Sequence, residues 1–185
     1  MVNLYPHQED VLNKTKGFGS VAYYLDMGLG KTFVGSEKMM EIGNITNLLV
    51  CQKSKIEDWI AHFEDNYNYA VFDLTIKAEL WEFLKFDKPK IGVINYELIF
   101  RRPELRKLKD FTLILDESSQ IKNEKAKRSK FILKLDSKNN IFNWVLILLA
   151  GFRCRRFVSA FARFVIPYRS VGEGDHNMRI FSCIF

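Results

Sequence analysis

The segment GLGKT at residues 28–32 has the residue types and spacing that bind nucleotide phosphates. Glycines let the backbone turn tightly around an anion, and a helix that begins directly afterwards points its N-terminal dipole at that anion. Lys31 would reach the β- and γ-phosphates, and Thr32 would supply its hydroxyl to Mg²⁺. The general phosphate-loop pattern asks for a further glycine at position 25, where this chain has Leu25, so the match is incomplete and an accidental one is the alternative.

Two adjacent acids, Asp116 and Glu117, form the second group that could do chemistry. They follow the apolar segment FTLIL at residues 111–115. Hydrolysis of a phosphoanhydride needs one carboxylate that holds Mg²⁺ and a neighbour that activates water. The alternatives are surface charge or, for Asp116, a helix N-cap. A GKT loop and a D-E pair that each follow a predicted strand favour a nucleotide site.

Apolar segments alternate with helical patterns along the first 150 residues. Strands are predicted at 20–25, 47–51, 70–74, 90–95 and 111–115, with a further apolar stretch up to Leu149. Helices are predicted at 31–42, 55–63, 77–86, on both sides of Pro103 within 96–110, and at 125–135. Ser54 and Glu57 have the spacing of a capping box. Apolar strands between helices predict a mainly parallel sheet whose ligands bind at the carboxyl ends of its strands.

The overall composition is that of a folded protein with one sizeable core. The chain has 185 residues, of which 48% are hydrophobic, and a net charge of +6, which would suit a polyanionic partner. The three cysteines have no CxxC spacing and lie apart from the three histidines, so neither a disulfide framework nor a zinc site is expected. The N-terminus has no signal core, and the longest apolar run is shorter than the roughly 20 residues that span a bilayer, so we expect a cytoplasmic protein with no membrane partner.

The composition changes near residue 140. Residues 1–150 contain 18 Lys and 4 Arg against 20 acids, whereas the last 35 residues contain no Lys and six Arg against two acids, together with six of the sixteen Phe. A basic tail that binds nucleic acid is one interpretation. The other is a coding sequence that leaves its frame after Lys138. We therefore expect residues 141–185 to be an atypical segment, frame-shifted or disordered.

Five segments occur in the order in which superfamily-two helicases carry them: LYPHQ (4–8), DMGLGKT (26–32), LLVCQKSKIEDW (48–59), VINYELI (93–99) and LILDESSQIKN (113–123). They most resemble the Swi/Snf-type helicase-like ATPases, a DEAD/DEAH-like group, especially the compact forms of bacteriophages and prophages. That family reads DEMGLGKT at the loop, which accounts for the missing first glycine. The resemblance covers about residues 3–135. It implies that residues 1–140 form an α/β, three-layer RecA-like domain (a P-loop NTPase) with a mainly parallel sheet.

The resemblance also implies that ATP and Mg²⁺ bind here. Gln8 would read the adenine edge, with Tyr5 or a neighbour near the base. Asp116 would hold Mg²⁺ together with Thr32, and Glu117 would orient and deprotonate the attacking water. The implied catalytic residues are Lys31, Glu117 and Asp116, and the implied nucleotide-binding residues are Gln8, Gly28, Leu29, Gly30, Lys31 and Thr32.

The expected macromolecular partner is DNA or RNA, bound through its backbone. Lys53, Ser54 and Asn95 match positions that face nucleic acid in relatives, with strand-end capping as the alternative. The basic runs at 101–109 and 122–130 either touch phosphates or are solvated helix faces. Such binding would be independent of sequence and weakened by salt.

Two family features do not follow the D-E pair: a strand that ends in S/T-G-T-P, and a second RecA-like lobe with an arginine finger. Such an arginine is worth about 10³ to 10⁵ in rate in nucleotide hydrolases. We therefore expect the ATP-binding lobe of a nucleic-acid-dependent ATPase, truncated, with weak or no hydrolysis unless a second lobe acts in trans. A non-catalytic module that holds ATP or nucleic acid, and a non-functional fragment, are the alternatives.

Overall fold

A computed structural model describes residues 2–25, 28–121, 123, 125–144 and 179–183. Strands and helices alternate along these residues. The α-helices are α1 (Pro6–Lys14), α2 (Lys31–Ile42), α3 (Ile56–Asn66), α4 (Lys77–Lys85) and α5 (Lys127–Ile132). The strands are β1 (Ser20–Tyr24), β2 (Thr46–Cys51), β3 (Ala70–Asp73), β4 (Lys90–Asn95), β5 (Thr112–Asp116), β6 (Asn139–Trp144) and β7 (Arg179–Cys183). No helix in this part of the chain combines the length and the apolarity that crossing a membrane requires.

The strands form one sheet in the order β3-β4-β2-β5-β6-β1-β7. Every neighbouring pair from β3 to β1 is parallel, and β7 pairs antiparallel with β1 at the edge. The predicted mainly parallel sheet is confirmed. Because the six parallel strands end on the same side, the segments that follow β1, β2, β4 and β5 meet there.

Helices cover the sheet on both faces. Successive strand residues point to opposite faces, so Leu49 and Ile114 pack in the layer of α1, α2 and α3, whereas Leu48 and Leu113 pack in the layer of α4 and α5. All four of these side chains have at most 1% of their surface exposed. The predicted three-layer α/β architecture is confirmed. Because both faces of the sheet are buried, its strands are continuous apolar runs in the sequence.

The strand β6 crosses residue 140, where the composition changes. It lies between β5 and β1, and Ile141 and Phe142 are buried in the two core layers. The core therefore uses side chains beyond the predicted domain boundary. Residues 145–178, including the predicted extension of this strand to Leu149, lie outside the described residues.

The predicted capping box at Ser54 and Glu57 is wrong. A 3₁₀ turn at Lys53–Lys55 precedes α3, and the N-cap is Lys55, which makes no side-chain capping bond. The turn moves the helix start beyond Ser54 and leaves Glu57 at the second helical position instead of the third.

The predicted helical segments on the two sides of a break near Pro103 are present, as short 3₁₀ helices at Ile99–Arg101 and Pro103–Lys107. The break lies at Arg102. Proline disfavours the α conformation of the residue before it, and Arg102 accordingly has φ −117° and ψ 68°. A continuous helix is therefore interrupted after one turn.

Candidate functional site

The loop between β1 and α2 is shaped by two glycines with positive φ. Gly28 has φ 83° and Gly30 has φ 71°, values that residues with a side chain rarely adopt. Gly30 is also the N-cap of α2, and a Cβ atom there would lie 2.1 Å from the Gln8 Nε2. Because glycine has no side chain that could cap the helix, the first backbone N–H groups of α2 can donate hydrogen bonds to an anion.

Lys31 is the first residue of α2, and its side chain folds back over this loop. Its Nζ donates a hydrogen bond to the carbonyl oxygen of Leu25 at 3.1 Å. The ammonium group thus lies between the end of β1 and the start of the helix. A phosphate in the same loop would compete with that carbonyl for the ammonium hydrogens.

Asp116 is the last residue of β5 and is held on both its main chain and its side chain. Its Oδ2 accepts a hydrogen bond from Trp59 Nε1 at 2.9 Å, and its carbonyl oxygen accepts one from the Tyr96 hydroxyl at 2.7 Å. Burial raises the pKa of this carboxyl, although the Trp59 hydrogen bond and the charge of Lys31 act in the opposite direction. The residue is therefore a partly buried, oriented oxygen donor.

Glu117 follows with a backbone conformation that is unusual for its type. Its φ is 52°, in the left-handed region. Burial, and then the neighbouring charge of Asp116, raise the pKa of the Glu117 carboxyl, and Lys31 partly offsets them. A carboxylate with a raised pKa is a better proton acceptor than a free one.

These groups surround one cavity of about 370 Å³, which we call the β1–β5 cavity. Its walls come from the β1–α2 loop, the start of α2, α3 and the end of β5. The lining residues are Gly28, Gly30, Lys31, Thr32, Lys55, Asp58, Trp59, Asp116 and Glu117. The structure thus brings together the GKT loop and the D-E pair, which lie far apart in the sequence. Backbone amides, an ammonium group, a hydroxyl and two carboxylates are the groups that bind a metal-complexed phosphate.

Gln8 lies beside this cavity and is only 3% exposed. Its Oε1 accepts a hydrogen bond from the Tyr5 amide at 2.9 Å, and its Nε2 donates one to the Leu29 carbonyl at 3.2 Å. His7 Nε2 lies 3.2 Å from the same carbonyl, and its ring stacks on Tyr5, which is 67% exposed. The structure therefore places Gln8 against the loop at 28–32.

Three residues of the β1–β5 cavity were missed by sequence reasoning, namely Lys55, Asp58 and Trp59. The spacing of α3 indicated only an apolar face for Trp59, and the ring is indeed 3% exposed. The available signal was chemical, because a buried indole N–H needs an acceptor. No pattern in the sequence indicated that Asp116 was that acceptor.

A second cavity, of about 520 Å³, lies where the chain leaves β2 and β4. We call it the β2–β4 cavity, and its lining residues are Gln52, Lys53, Ser54, Glu97 and Gln120. Lys53 and Ser54 are exposed on its rim. Asn95 differs from them, because it is only 2% exposed and its Nδ2 donates to Glu97 Oε2 at 2.8 Å. The Asn95 side chain thus faces the protein interior and orients Glu97.

The first basic run, residues 101–109, makes several contacts within the protein. The Arg102 guanidinium donates to the carbonyls of Leu74 and Thr75, and Arg106 lies 4.7 Å from the centre of the Phe131 ring. These arginines therefore fasten the 3₁₀ turns to the domain. Lys122 and Glu124 of the second run lie outside the described residues.

Comparisons with known proteins agree with the fold. The sequence model of the SNF2-related domain matches residues 24–143. A solved structure, the SWI2/SNF2 ATPase core of Sulfolobus solfataricus in complex with dsDNA, is similar with a TM-score of 0.61 and 27% identity. The match covers 79% of this chain and 32% of that one, so the chain spans about a third of its length. A comparison with curated proteins gave no match.

Proposed function

The chain belongs to the SNF2-related domain family, the family of helicase-like ATPases, and from that premise we propose that the β1–β5 cavity binds ATP together with Mg²⁺. The observation that carries this proposal is the cavity itself, which joins Lys31 and Thr32 to Asp116 and Glu117. If Asp116 and Glu117 were only surface charges, they would have no reason to share a cavity with Lys31. If the GKT match were accidental, its loop would have no reason to lie beside a pair of carboxylates.

The triphosphate would lie on the β1–α2 loop. The first amides of α2 would bind phosphate oxygens, and Lys31 Nζ would leave the Leu25 carbonyl for the β- and γ-phosphates. The adenine would lie beside Gln8, whose amide already stands against the loop at Leu29, with the exposed ring of Tyr5 near the base.

The residues fit a magnesium ion. Thr32 and Asp116 supply a hydroxyl and a carboxylate oxygen to the lining of the same cavity, and Mg²⁺ prefers oxygen ligands. When bound, the ion would neutralise phosphate charge. The role of this chain is to hold the two oxygen donors, and the Trp59 hydrogen bond orients one of them.

Glu117 would be the general base. Its carboxylate lines the cavity, and its raised pKa favours accepting a proton from a water molecule. The carboxylate would orient that water towards the γ-phosphate and take up its proton as the phosphoanhydride bond breaks.

We also propose that the lobe acts with two partners. Nucleic acid, most directly DNA as in the similar structure, would pass along the rim at Lys53 and Ser54 through backbone contacts. A second RecA-like lobe, in trans, would supply the arginine that stabilises the transferred phosphoryl group. Without it, hydrolysis should be slower by about 10³ to 10⁵.

Equilibrium binding of a fluorescent ATP analogue in Mg²⁺ tests the proposal. Lys31→Ala should weaken the affinity about tenfold or more, because a charge-assisted hydrogen bond is lost. Lys107→Ala, an exposed lysine in a 3₁₀ turn, is the matched control and should bind like the wild type. A wild type that does not bind the analogue would refute ATP binding, and equal affinities of the two variants would remove Lys31 from the site.

A further inference from the structure

We propose that Trp59 is a positioning residue for the Asp116 carboxylate and, through it, for the magnesium ion of the bound nucleotide. This inference rests on the proposed function of the β1–β5 cavity. It assigns a task to a side chain that the sequence indicated only as part of an apolar helix face.

The indole is fixed so that its N–H points in one direction. Trp59 Nε1 lies 2.9 Å from Asp116 Oδ2, and the side chain is 3% exposed. Its ring stacks on Phe63, one turn later in α3, with centroids 5.6 Å apart and planes at 23°. The His62 ring meets it edge-on at 5.7 Å. Because these contacts fix the ring, the donor is preorganised rather than recruited when the ligand arrives.

The acceptor is restrained at its other end. The Tyr96 hydroxyl holds the Asp116 carbonyl at 2.7 Å, at the end of a strand that is paired on both sides. With the main chain held and Oδ2 occupied, the carboxylate has little freedom to rotate. An indole N–H is a donor only, so Trp59 is not a metal ligand and acts solely on the orientation of the carboxylate.

This arrangement suits magnesium in particular. Mg²⁺ demands near-ideal octahedral geometry, and a freely rotating carboxylate would approach it in several ways. An oxygen occupied by an indole N–H favours approach through the other one. Residues that orient a ligand in this manner typically change metal affinity by about 10- to 100-fold when they are removed.

The test uses Trp59→Phe, which keeps an aromatic ring beside Phe63 and removes the N–H donor together with part of the indole ring. Trp81→Phe is the matched control, because Trp81 lies on α4, is 44% exposed and does not line the β1–β5 cavity. The affinity for a fluorescent ATP analogue is measured in Mg²⁺ and again in EDTA. The ratio of the two affinities reports the contribution of the metal alone.

We expect Trp59→Phe to lose about tenfold or more of the Mg²⁺-dependent gain in affinity while its affinity in EDTA stays at the wild-type value. Trp81→Phe should match the wild type in both buffers. A purely structural role of Trp59 would lower both affinities together and would overturn the inference, as would an unchanged ratio. A wild type without any affinity for the analogue would overturn the proposed function as well.

A measurement on the wild-type protein covers the case in which Trp59→Phe does not fold. In ¹⁵N-labelled protein with ADP, the Trp59 indole N–H resonance should shift when Mg²⁺ is added, and that of Trp81 should not. The spectra of Trp81→Phe and Trp144→Phe identify the resonances of these two tryptophans, which leaves the third indole resonance to Trp59. A Trp59 resonance that is indifferent to Mg²⁺ would show that the hydrogen bond and the metal site are independent.

Discussion

The Tyr96 hydroxyl donates a hydrogen bond to the main-chain carbonyl of Asp116 at 2.7 Å, from a side chain with no exposed surface. Tyr96 directly follows β4, and Asp116 ends β5, while β2 lies between these two strands in the sheet. The bond therefore spans a strand and ties together two loops that line different cavities. Burial raises the pKa of Tyr96, so its hydroxyl stays protonated and remains a donor.

Tyr96→Phe should lower the free energy of unfolding by about 1 to 3 kcal/mol, because it leaves a partly buried carbonyl without this partner. Urea denaturation followed by circular dichroism measures the change. Tyr5→Phe, at a residue that is 67% exposed, is the control and should be neutral. Equal stability of Tyr96→Phe and the wild type would mean that water replaces the hydroxyl.

Gln8→Ala should weaken ATP binding about tenfold while leaving the affinity for pyrophosphate unchanged. Gln8 contacts the loop through Leu29, but its proposed partner is the adenine base, which pyrophosphate does not have. Competition against a fluorescent ATP analogue gives both affinities. A parallel loss of ATP and pyrophosphate binding would show that Gln8 supports the loop instead of reading the base.

Glu117→Gln should keep ATP binding and lose about 10² to 10⁴ in hydrolysis rate, because the amide has the shape of the carboxylate but does not accept the proton. The rate is measured with DNA and a second RecA-like lobe added in trans, by release of phosphate. Glu82→Gln, on the exposed side of α4, is the control. Retained hydrolysis in Glu117→Gln would require another base.

Lys53→Ala should weaken DNA binding by a similar factor for unrelated sequences and should reduce the slope of log affinity against log salt concentration by about 1. Fluorescence anisotropy over a range of NaCl concentrations measures both. Lys85→Ala, at the end of α4, is the matched control. An unchanged slope for Lys53→Ala would move the DNA path away from the β2–β4 cavity.

Stability should fall as the pH falls below about 6.5, in part because of His62. Burial lowers the pKa of this imidazole, with Asp65 acting in the opposite direction, and its Nε2 lies 3.0 Å from Ser36 Oγ. The folded state has the lower pKa, so the unfolded chain binds more protons in this window and is favoured there.

His62→Gln should therefore lose less stability than the wild type between about pH 7.5 and pH 5.5. Urea denaturation at the two pH values gives the difference for each protein. At the higher pH the imidazole is neutral in both states, so any change there reports only the lost contacts. An identical pH dependence of variant and wild type would assign the effect to other groups.

The parts of the site that the sequence predicted are those that depend on local signals. Glycines before Lys31 and an apolar run before Asp116 mark the ends of β1 and β5, and parallel pairing then places those ends on one side of the sheet. The three-layer architecture follows from the same runs. These features could therefore be predicted from the separate segments, without information about long-range side-chain contacts.

The parts that the sequence did not predict depend on partners far away in the chain. Trp59 and Asp116 are 57 positions apart, and no periodicity links an indole to a carboxylate. The hydrogen bond from Gln8 to the Leu29 carbonyl likewise depends on the packing of α1 against the sheet. The wrong capping box has a smaller cause, because a single 3₁₀ turn at Lys53–Lys55 shifts the start of a helix and changes which side chain is the N-cap.

The left-handed backbone conformation of Glu117 costs stability at the residue that we propose as the general base. A non-glycine residue in that conformation lowers the stability of the folded state by about 1 kcal/mol, and glycine would remove this cost. A library of variants selected only for heat tolerance should therefore enrich Glu117→Gly, a change that removes the proposed base. Engineering this lobe for stability should keep residue 117 fixed and seek its gains elsewhere in the chain.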